Sequence, residues 1–209
     1  MEKLTDQTLN KFLEITASDA PVPGGGSISA LNGAIAASLA TMVARLTLGR
    51  KKYAEVEPQM NDIIGRLTPL AAQLGDLVDE DSKAYAIVMD AYRLPKETDD
   101  EKKARHDAIQ GATMGAALVP LKVAETVCNV LPMIVEVADK GNTNAVTDAG
   151  VAALCARAAI KGALLNVSIN LGGIDDKAFV AEMEKQIAAL DEAADNYEQH
   201  ILEIVKSKI

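Results

Sequence analysis

Apolar residues recur at three- and four-residue intervals along most of the chain, which is the period of a helix that buries one face. This pattern predicts a first helix over residues 5–16, a third over 57–93 and a last one that begins near residue 175. No window shows the alternation of apolar and polar residues that marks a half-buried strand. We therefore predict an all-α fold, a single-domain bundle of long helices over residues 1–209.

A proline- and glycine-rich segment separates the first two helices. Residues 21–26 break regular structure, because proline fixes φ and glycine adopts backbone angles closed to other residues. Ser27 is the predicted N-cap of a second helix that ends at Leu48. Residues 28–44 carry no charge over nearly the length of a membrane span, but their small side chains favour a tightly packed buried helix. We therefore expect no association with a membrane.

Two more helices are predicted in the second half of the chain. Residues 101–140 form a fourth helical region, in which Pro120 and Pro132 are each expected to introduce a kink or an interruption. Residues 147–171 form a fifth helix that is apolar on all sides. A helix of this kind belongs at the centre of a bundle or in a subunit interface.

The composition restricts the possible partners. A formal net charge of −9 repels a phosphate backbone, and the chain has no strong basic patch, so we expect no nucleic-acid partner. The two cysteines lie apart in apolar runs, and two histidines are too few for a histidine-rich metal site or a catalytic triad. We predict neither a disulfide framework nor a metal. Free thiols and an acidic start without an apolar leader favour the cytoplasm.

The glycine-rich turn is the first candidate for chemistry. The turn leads into a helix whose free N–H groups could receive an anion or a developing negative charge. It consists of Pro23, Gly24, Gly25, Gly26 and Ser27. The turn lacks the ending of a P-loop, and it lacks the third glycine and the preceding strand of a dinucleotide fingerprint. The alternative is a tight turn that lets two helices approach each other closely.

Asp81 interrupts the apolar stripe of the third helix. Its neighbours three and four positions away are apolar or aromatic, whereas Asp79 lies on a more polar flank. Burial raises the pKa of a carboxyl group towards the range that is useful for proton transfer. The alternative is a buried structural ion pair, with Arg157 or Lys161 as the partner.

A basic triplet stands out in this acidic chain. Arg50, Lys51 and Lys52 follow the predicted end of the second helix, where cations oppose the helix dipole. The functional alternative is a binding place for a carboxylate or phosphate group of a ligand, with Lys51 or Lys52 close to the glycine turn.

Polar residues also accompany the fifth, apolar helix. Asn144 and Asp148 lie at its start, where an aspartate stabilises the first turn. Asn166 and Asn170 are four residues apart and therefore share one face. If these amides are buried they need hydrogen-bond partners, and the partners are either backbone groups or a ligand.

Several of these blocks together resemble a known family. The blocks are residues 21–27, 46–53, 78–81, 93–96, 141–142 with 147–148, and 166–171. In order and content they are similar to the cyclodeaminase/cyclohydrolase family of one-carbon folate metabolism, over nearly the whole chain. One departure is Thr147, where the family has serine more often, and this change keeps the hydroxyl.

The resemblance implies an all-helical protomer, a homodimer, and a folate site near the glycine-rich turn and the subunit interface. It implies no metal and no nucleotide cofactor, because the tetrahydrofolate derivative is the substrate. The stand-alone architecture favours a methenyltetrahydrofolate cyclohydrolase, which hydrolyses 5,10-methenyltetrahydrofolate to 10-formyltetrahydrofolate. The alternative is a formiminotetrahydrofolate cyclodeaminase, which releases ammonia and forms the methenyl compound.

The resemblance also suggests roles for the candidate residues. Asp81 is assigned as general acid/base and Asp148 as the pterin-binding or second proton-transfer carboxylate, two roles that could be exchanged. The basic triplet would attract the glutamate tail, and the glycine turn would shape the pocket or bind an anionic group. The three asparagines complete the predicted substrate-binding set. A non-catalytic folate-binding or helical interaction module is a further alternative, but it has no need for an isolated carboxylate on an apolar stripe.

Overall fold

Six α-helices make up most of the computed structural model, which describes residues 3–209. They are α1 (Leu9–Thr16), α2 (Gly25–Thr47), α3 (Glu57–Tyr92), α4 (Asp99–Lys140), α5 (Val146–Leu171) and α6 (Lys177–Lys206). Short 3-10 turns precede α1, α3 and α5, at Leu4–Asp6, Lys51–Val56 and Thr143–Ala145. The described residues contain no strand, and the predicted all-α bundle is confirmed.

Helix α5 lies at the centre of the bundle, where it packs against α2, α4 and α6. Many of its buried side chains are alanines, namely Ala149, Ala152, Ala153, Ala156, Ala159 and Ala163. Small side chains reduce the distance at which two helix axes can pack. The core therefore depends on close helix packing, and Phe12 is the one buried aromatic residue in the described part of the chain.

Two glycines show how closely the helices approach. A Cβ atom placed on Gly33 of α2 would lie 2.6 Å from Val127 Cγ2, and one on Gly162 of α5 would lie 2.5 Å from Ser29 Oγ. Both distances are well below van der Waals contact. Only glycine therefore fits at these two positions without a rearrangement.

The starts of the first two helices differ from the prediction. Helix α1 begins at Leu9 rather than at residue 5, because the Thr8 side chain accepts a backbone N–H of the first turn and caps the helix there. Helix α2 begins at Gly25 with Gly24 as its N-cap, so the predicted N-cap role of Ser27 is wrong. Ser27 instead lies in the first turn, and its hydroxyl points towards α3.

Helix α4 runs through Pro120 and Pro132, where the sequence predicted a kink or an interruption. Neither proline ends the helix. Leu121, Leu131 and Met133, which are neighbours of the two prolines, are buried. Packing therefore compensates for the backbone hydrogen bonds that proline removes, and the tertiary context overrides the local preference.

Helices α2 and α5 are antiparallel. Gly25 at the start of α2 lies beside Asn166 near the end of α5, whereas Thr47 at the end of α2 accepts the backbone N–H of Asn142, just before α5. The 23 residues of α2 separate its two ends by roughly 34 Å at 1.5 Å per residue. We call these the glycine-turn end, after residues 23–27, and the basic end, after residues 50–52.

Candidate functional site

The glycine turn and Asp81 meet at the start of α2. The backbone N–H of Ser27 donates to Asp81 Oδ2 at 2.8 Å, and Ser27 Oγ lies 3.0 Å from the same oxygen. The Ser27 hydroxyl also lies 2.9 Å from the Val78 carbonyl oxygen and 3.3 Å from Ser82 Oγ. A free N–H group at the positive end of α2 is thus used by a carboxylate of the protein itself. The anion that this turn receives in the structure is therefore the side chain of Asp81, and binding of a ligand anion by the turn stays a prediction.

Gly26 allows the carboxylate to approach this closely. A Cβ atom on residue 26 would lie 2.5 Å from Asp81 Cγ and 2.8 Å from Oδ2. A Cβ atom on Gly25 would lie 2.9 Å from Asn166 Nδ2 of α5. Pro23 is buried directly before the turn. The turn therefore allows the close helix approach that was predicted as the alternative, and it also holds the carboxylate of Asp81.

Asp81 is half-buried, and its pKa is raised above the ordinary aspartate value. Desolvation is the main cause, and the hydrogen bonds from the Ser27 side chain and backbone oppose it. A carboxyl group with a raised pKa exchanges its proton closer to neutral pH. Within residues 3–209, Oδ1 of Asp81 accepts no hydrogen bond, and it lies against Gly26.

The predicted alternative of a structural ion pair at Asp81 is wrong. Arg157 Nε lies 3.0 Å from Asp195 Oδ1, and Lys161 Nζ lies 2.8 Å from Asp195 Oδ2. Both cations therefore join α5 to α6. Asp79 is the carboxylate with a structural role, because it accepts the backbone N–H of Leu4 at 2.8 Å. The prediction that Asp79 lies on a polar flank is also wrong, since its side chain is buried, with 8% exposed.

Asn166 and Asn170 lie on the predicted shared face at the glycine-turn end, and both are half-buried. Asn166 Nδ2 donates to the carbonyl of Gly162 at 2.8 Å, within α5. Asn170 Nδ2 donates to the carbonyl of Asn166 at 2.8 Å and lies 3.4 Å from the carbonyl of Ala116 in α4. Backbone groups therefore satisfy the amide donors, while Asn166 borders the glycine turn.

An apolar groove of about 720 Å³ lies between α3 and α4, and its lining begins at Glu80, the neighbour of Asp81 in sequence, but does not include Asp81 itself. Its lining includes Ala84, Ile87, Ala91, Ala112, Ala116 and Val119, together with the charged residues Glu80, Lys83 and Asp90. This volume lies in the range of small-molecule sites. Ala116 connects the groove to the site, because its carbonyl contacts Asn170. The sequence did not predict the groove, since scattered alanines carry no signal of an unfilled space.

The basic triplet lies at the other end of α2. Arg50, Lys51 and Lys52 are exposed and follow the helix, roughly 34 Å from the glycine turn along its axis. The prediction that Lys51 or Lys52 lies close to the glycine turn is therefore wrong within one chain, because α2 is one continuous helix. The three cations remain a candidate anion site at the basic end.

Tyr53 joins the basic triplet to the start of α5. Its phenolic oxygen accepts the backbone N–H of Thr143 at 3.0 Å and lies 3.2 Å from Thr143 Oγ1. These hydrogen bonds lower the pKa of Tyr53 to about 8, and Lys52, whose Nζ lies 5.1 Å from the ring centre, contributes less. The sequence patterns missed this residue. The available signal was a tyrosine directly after three cations, in a chain with four tyrosines.

Asn144 and Asp148 also lie at the basic end. Asn144 is exposed, and its backbone N–H donates to Asn142 Oδ1 at 3.1 Å. Asp148 is half-buried in the first turn of α5, where a carboxylate complements the helix dipole. Along α5, Asp148 is roughly 27 Å from Asn166 at the glycine-turn end. A single protomer therefore does not bring Asp81 and Asp148 together.

Helices α2 and α5 expose an apolar surface that connects the two ends. This apolar face consists of Ile35, Met42, Leu46, Val151, Leu154, Leu165 and Ile169. Leu165 and Ile169 are 72% and 79% exposed. On each helix the residues recur at intervals that place them on one side of the helix. Exposed apolar residues grouped in this way are typical of an interaction site.

By length and composition, α2, α4 and α5 are each apolar enough to cross a membrane. In the most apolar stretch of each helix, 50%, 56% and 50% of the residues, respectively, are buried inside the protein. The exposed apolar residues of α2 and α5 are those of the apolar face, so this face is the surface that a membrane or a protein partner would contact.

In the described part of the chain, no group of three or more His, Cys, Asp or Glu side chains is placed to hold a metal ion. Cys128 and Cys155 are both free thiols. Burial raises the pKa of both, that of Cys128 to about 11, so neither is a reactive thiolate at neutral pH.

Comparison with known proteins shows which family this chain resembles. The formiminotransferase-cyclodeaminase family profile matches residues 8–189. A methenyltetrahydrofolate cyclohydrolase from Methylorubrum extorquens is 42% identical over 98% of both chains. A formimidoyltransferase-cyclodeaminase from Mus musculus is 36% identical over 90% of this chain, which spans 35% of that protein's length.

A solved structure supports the same relationship. The crystal structure of formiminotetrahydrofolate cyclodeaminase from Thermotoga maritima matches with a TM-score of 0.86 and 29% identity, over 97% of each chain. The sequence similarity and the fold therefore both support the family resemblance that was based on the sequence motifs. This chain belongs to the formiminotransferase-cyclodeaminase family.

Proposed function

We propose that the protein is a methenyltetrahydrofolate cyclohydrolase, which hydrolyses 5,10-methenyltetrahydrofolate to 10-formyltetrahydrofolate. The observation that carries the proposal is a half-buried carboxyl group with a raised pKa, Asp81, held at the start of α2 by the Ser27 backbone N–H. The similarity to the Methylorubrum extorquens cyclohydrolase over nearly the whole chain supports it. The proposed reaction uses no metal and no nucleotide cofactor. The free thiols of Cys128 and Cys155 favour the cytoplasm as the location of the protein.

The reaction requires a group that both takes up and returns a proton. Water adds to the carbon that bridges N5 and N10, and ionised Asp81 accepts one proton from this water. The tetrahedral adduct opens when Asp81 returns the proton to N5 and the bond between the carbon and N5 breaks. The hydroxyl proton of the adduct is released as the formyl C=O forms, so one proton appears for each turnover. A carboxyl group with a raised pKa suits both steps.

The surroundings of Asp81 also suit this substrate. The methenyl bridge carries a positive charge, which an ionised carboxylate attracts, and Oδ1 of Asp81 accepts no hydrogen bond from residues 3–209. The apolar groove between α3 and α4, whose lining begins at Glu80, offers a surface for one of the two ring systems of the substrate.

Formiminotetrahydrofolate cyclodeaminase activity is the second candidate. The 0.86 TM-score with the Thermotoga maritima cyclodeaminase favours it, as does the match to the mouse enzyme. Its reaction also passes through a tetrahedral carbon bonded to two folate nitrogens, and Asp81 would protonate the departing ammonia. The same carboxyl group therefore fits either reaction.

We also propose that the functional unit is a homodimer formed through the apolar face. A two-fold axis perpendicular to α2 and α5 reverses the direction of both helices, so the glycine-turn end of one protomer meets the basic end of its partner. Substrate that reacts beside Asp81 would then extend its glutamate tail towards Arg50, Lys51 and Lys52 of the partner subunit. This arrangement explains how two clusters roughly 34 Å apart in one chain serve a single site.

The catalytic proposal is tested by following the methenyl chromophore. Purified protein added to 5,10-methenyltetrahydrofolate should accelerate the loss of its absorbance above the spontaneous rate, with 10-formyltetrahydrofolate as the product. A parallel assay with 5-formiminotetrahydrofolate measures ammonia release and chromophore gain. Activity in the second assay alone would establish the cyclodeaminase. No activity in either assay would contradict an enzymatic role.

The dimer is tested with Leu165→Glu, which places a charge in the proposed interface at the glycine-turn end of the apolar face. We expect the variant to be monomeric by light scattering and to lose most of its activity, because a buried unpaired charge strongly destabilises an interface. Leu9→Glu is the matched control, since Leu9 is 68% exposed on α1, outside the apolar face. A monomeric wild-type protein would refute the dimer, and sedimentation of that monomer with phospholipid vesicles would assign the face to a membrane.

A further inference from the structure

The Ser27 hydroxyl has more neighbours than it has protons to donate. Its Oγ lies 2.9 Å from the Val78 carbonyl, 3.0 Å from Asp81 Oδ2 and 3.3 Å from Ser82 Oγ. A serine hydroxyl carries one proton and two lone pairs, so it donates to one acceptor at a time. The Val78 carbonyl can only accept. Asp81 is a strong acceptor when it is ionised and a weaker one when it is protonated.

We propose that Ser27 is a positioning residue, whose hydroxyl donates to Asp81 Oδ2 while the carboxylate is ionised and to the Val78 carbonyl once the carboxyl is protonated. The inference rests on the proposed function, in which Asp81 takes up and returns a proton. Because both acceptors already lie within 3.0 Å, the change needs only a rotation of the hydroxyl. Neither protonation state of Asp81 leaves the serine without a hydrogen-bond partner.

Water cannot take the place of this hydroxyl. Ser27 is fully buried, so water does not reach its Oγ. The backbone N–H of Ser27 holds Oδ2 at 2.8 Å, and Gly26 lies against the other side of the carboxyl group. The position of Asp81 is therefore fixed, and the direction of the Ser27 hydroxyl is the element that responds to the proton.

Charged groups on the surrounding helices are not among the causes of the raised pKa of Asp81, and all of them except the exposed Lys83 are paired elsewhere. These groups are Asp79, Glu80 and Lys83 on α3, Lys122 on α4 and Lys161 on α5. Asp79 binds the N-terminal segment, Glu80 and Lys122 lie 3.5 Å apart, and Lys161 pairs with α6. Residues 25–44 of α2 carry no charge. Burial and Ser27 therefore govern the protonation of Asp81.

The test is a titration of the Asp81 carboxyl carbon by NMR in the protein without substrate, with the signal assigned from its absence in Asp81→Asn. In Ser27→Ala we expect the pKa of Asp81 to rise by about one unit, because one of the hydrogen bonds to its ionised form is lost. Ser29→Ala is the matched control. Ser29 is also buried on α2, and its hydroxyl donates to the Gly25 carbonyl at 2.7 Å.

Ser27→Thr keeps the hydroxyl and should titrate like the wild type. An unchanged titration in Ser27→Ala, or an equal rise in Ser29→Ala, would overturn the proposal. This measurement needs no folate, so its outcome is independent of the proposed reaction. If the reaction is also correct, the acidic limb of kcat/KM against pH moves to higher pH by the same amount in Ser27→Ala, and KM at high pH stays unchanged.

Discussion

Asp81→Asn should lower kcat for methenyltetrahydrofolate hydrolysis by about 10²- to 10⁴-fold, the usual contribution of a general acid/base, and should leave the fold intact. The amide has nearly the shape of the carboxyl group, and its oxygen can still accept the backbone N–H of Ser27. It cannot take a proton from water. The measurement is steady-state kinetics beside circular dichroism and thermal unfolding, and near-normal turnover would contradict the role of Asp81.

The same variant makes a prediction about stability. Because burial raises the pKa of Asp81, the folded state binds more protons at this residue than the unfolded state between the two pKa values. The free energy of unfolding therefore falls as pH rises through that window, and at neutral pH the ionised side chain is destabilising. Asp81→Asn removes this effect, so we expect its free energy of unfolding at pH 7 to equal or exceed that of the wild type.

Asp79→Asn is the matched control for both measurements. Asp79 is two positions away on α3 and is also buried, but it accepts hydrogen bonds from Leu4 and Thr5 at the N-terminal segment. Its loss should lower the stability of the protein and leave kcat close to the wild-type value. A parallel loss of kcat in both variants would show that the effect at Asp81 is structural.

The long helices were predictable, because each buries one face and the apolar residues repeat with the helical period. Helix α3 was predicted over 57–93 and is found at Glu57–Tyr92. The start of α2 was misplaced because Ser27 has the residue type of an N-cap, whereas its hydroxyl is used by a contact 51 residues away, at Val78. Local preference predicts a cap, and only the packing of α2 on α3 shows the other use.

The candidate site was predictable in part. Asp81 was found because a carboxylate breaks an apolar stripe, and the glycine turn was found because its residues have special backbone freedom. The contact between them could not be predicted, since it depends on how two helices cross. The separation of the basic triplet from the turn was available from the sequence: a helix from Ser27 to Leu48 is already roughly 30 Å long. Tyr53 is not part of a periodic apolar pattern, and its role was recognised only from its hydrogen bond with Thr143 in the structure.

Gly26→Ala should lower both the stability and the activity of the protein. The added Cβ would lie 2.5 Å from Asp81 Cγ, so either the carboxyl group or the start of α2 must move. We expect a loss of about 1–3 kcal/mol in the free energy of unfolding, as for overpacking in a core. We also expect a fall in kcat of at least about tenfold, because a misplaced proton-transfer group loses its geometry. Denaturant unfolding and steady-state kinetics measure the two effects.

Alanine substitutions at two other glycines serve as controls, because neither position produces a clash like the one at residue 26. Gly75 of α3 has nothing within 4 Å of a placed Cβ, so Gly75→Ala should stabilise the helix by about 0.5–1 kcal/mol. Gly24 has one neighbour, the carbonyl oxygen of Pro21 at 3.6 Å, so Gly24→Ala should cost only about 1 kcal/mol or less, through the poorer N-cap rather than through a clash. A tolerated Gly26→Ala would mean that the carboxyl group is not held against the turn.

The decisive control removes the carboxyl group itself. In an Asp81→Ala background, the methyl group of Gly26→Ala has no carboxyl group to displace, so its cost in stability should largely disappear. Activity should stay low in the double variant, because the proton-transfer group is absent. Recovered stability without recovered turnover would tie the glycine at residue 26 to the position of one carboxyl group, and an undiminished loss would place the clash elsewhere in α2.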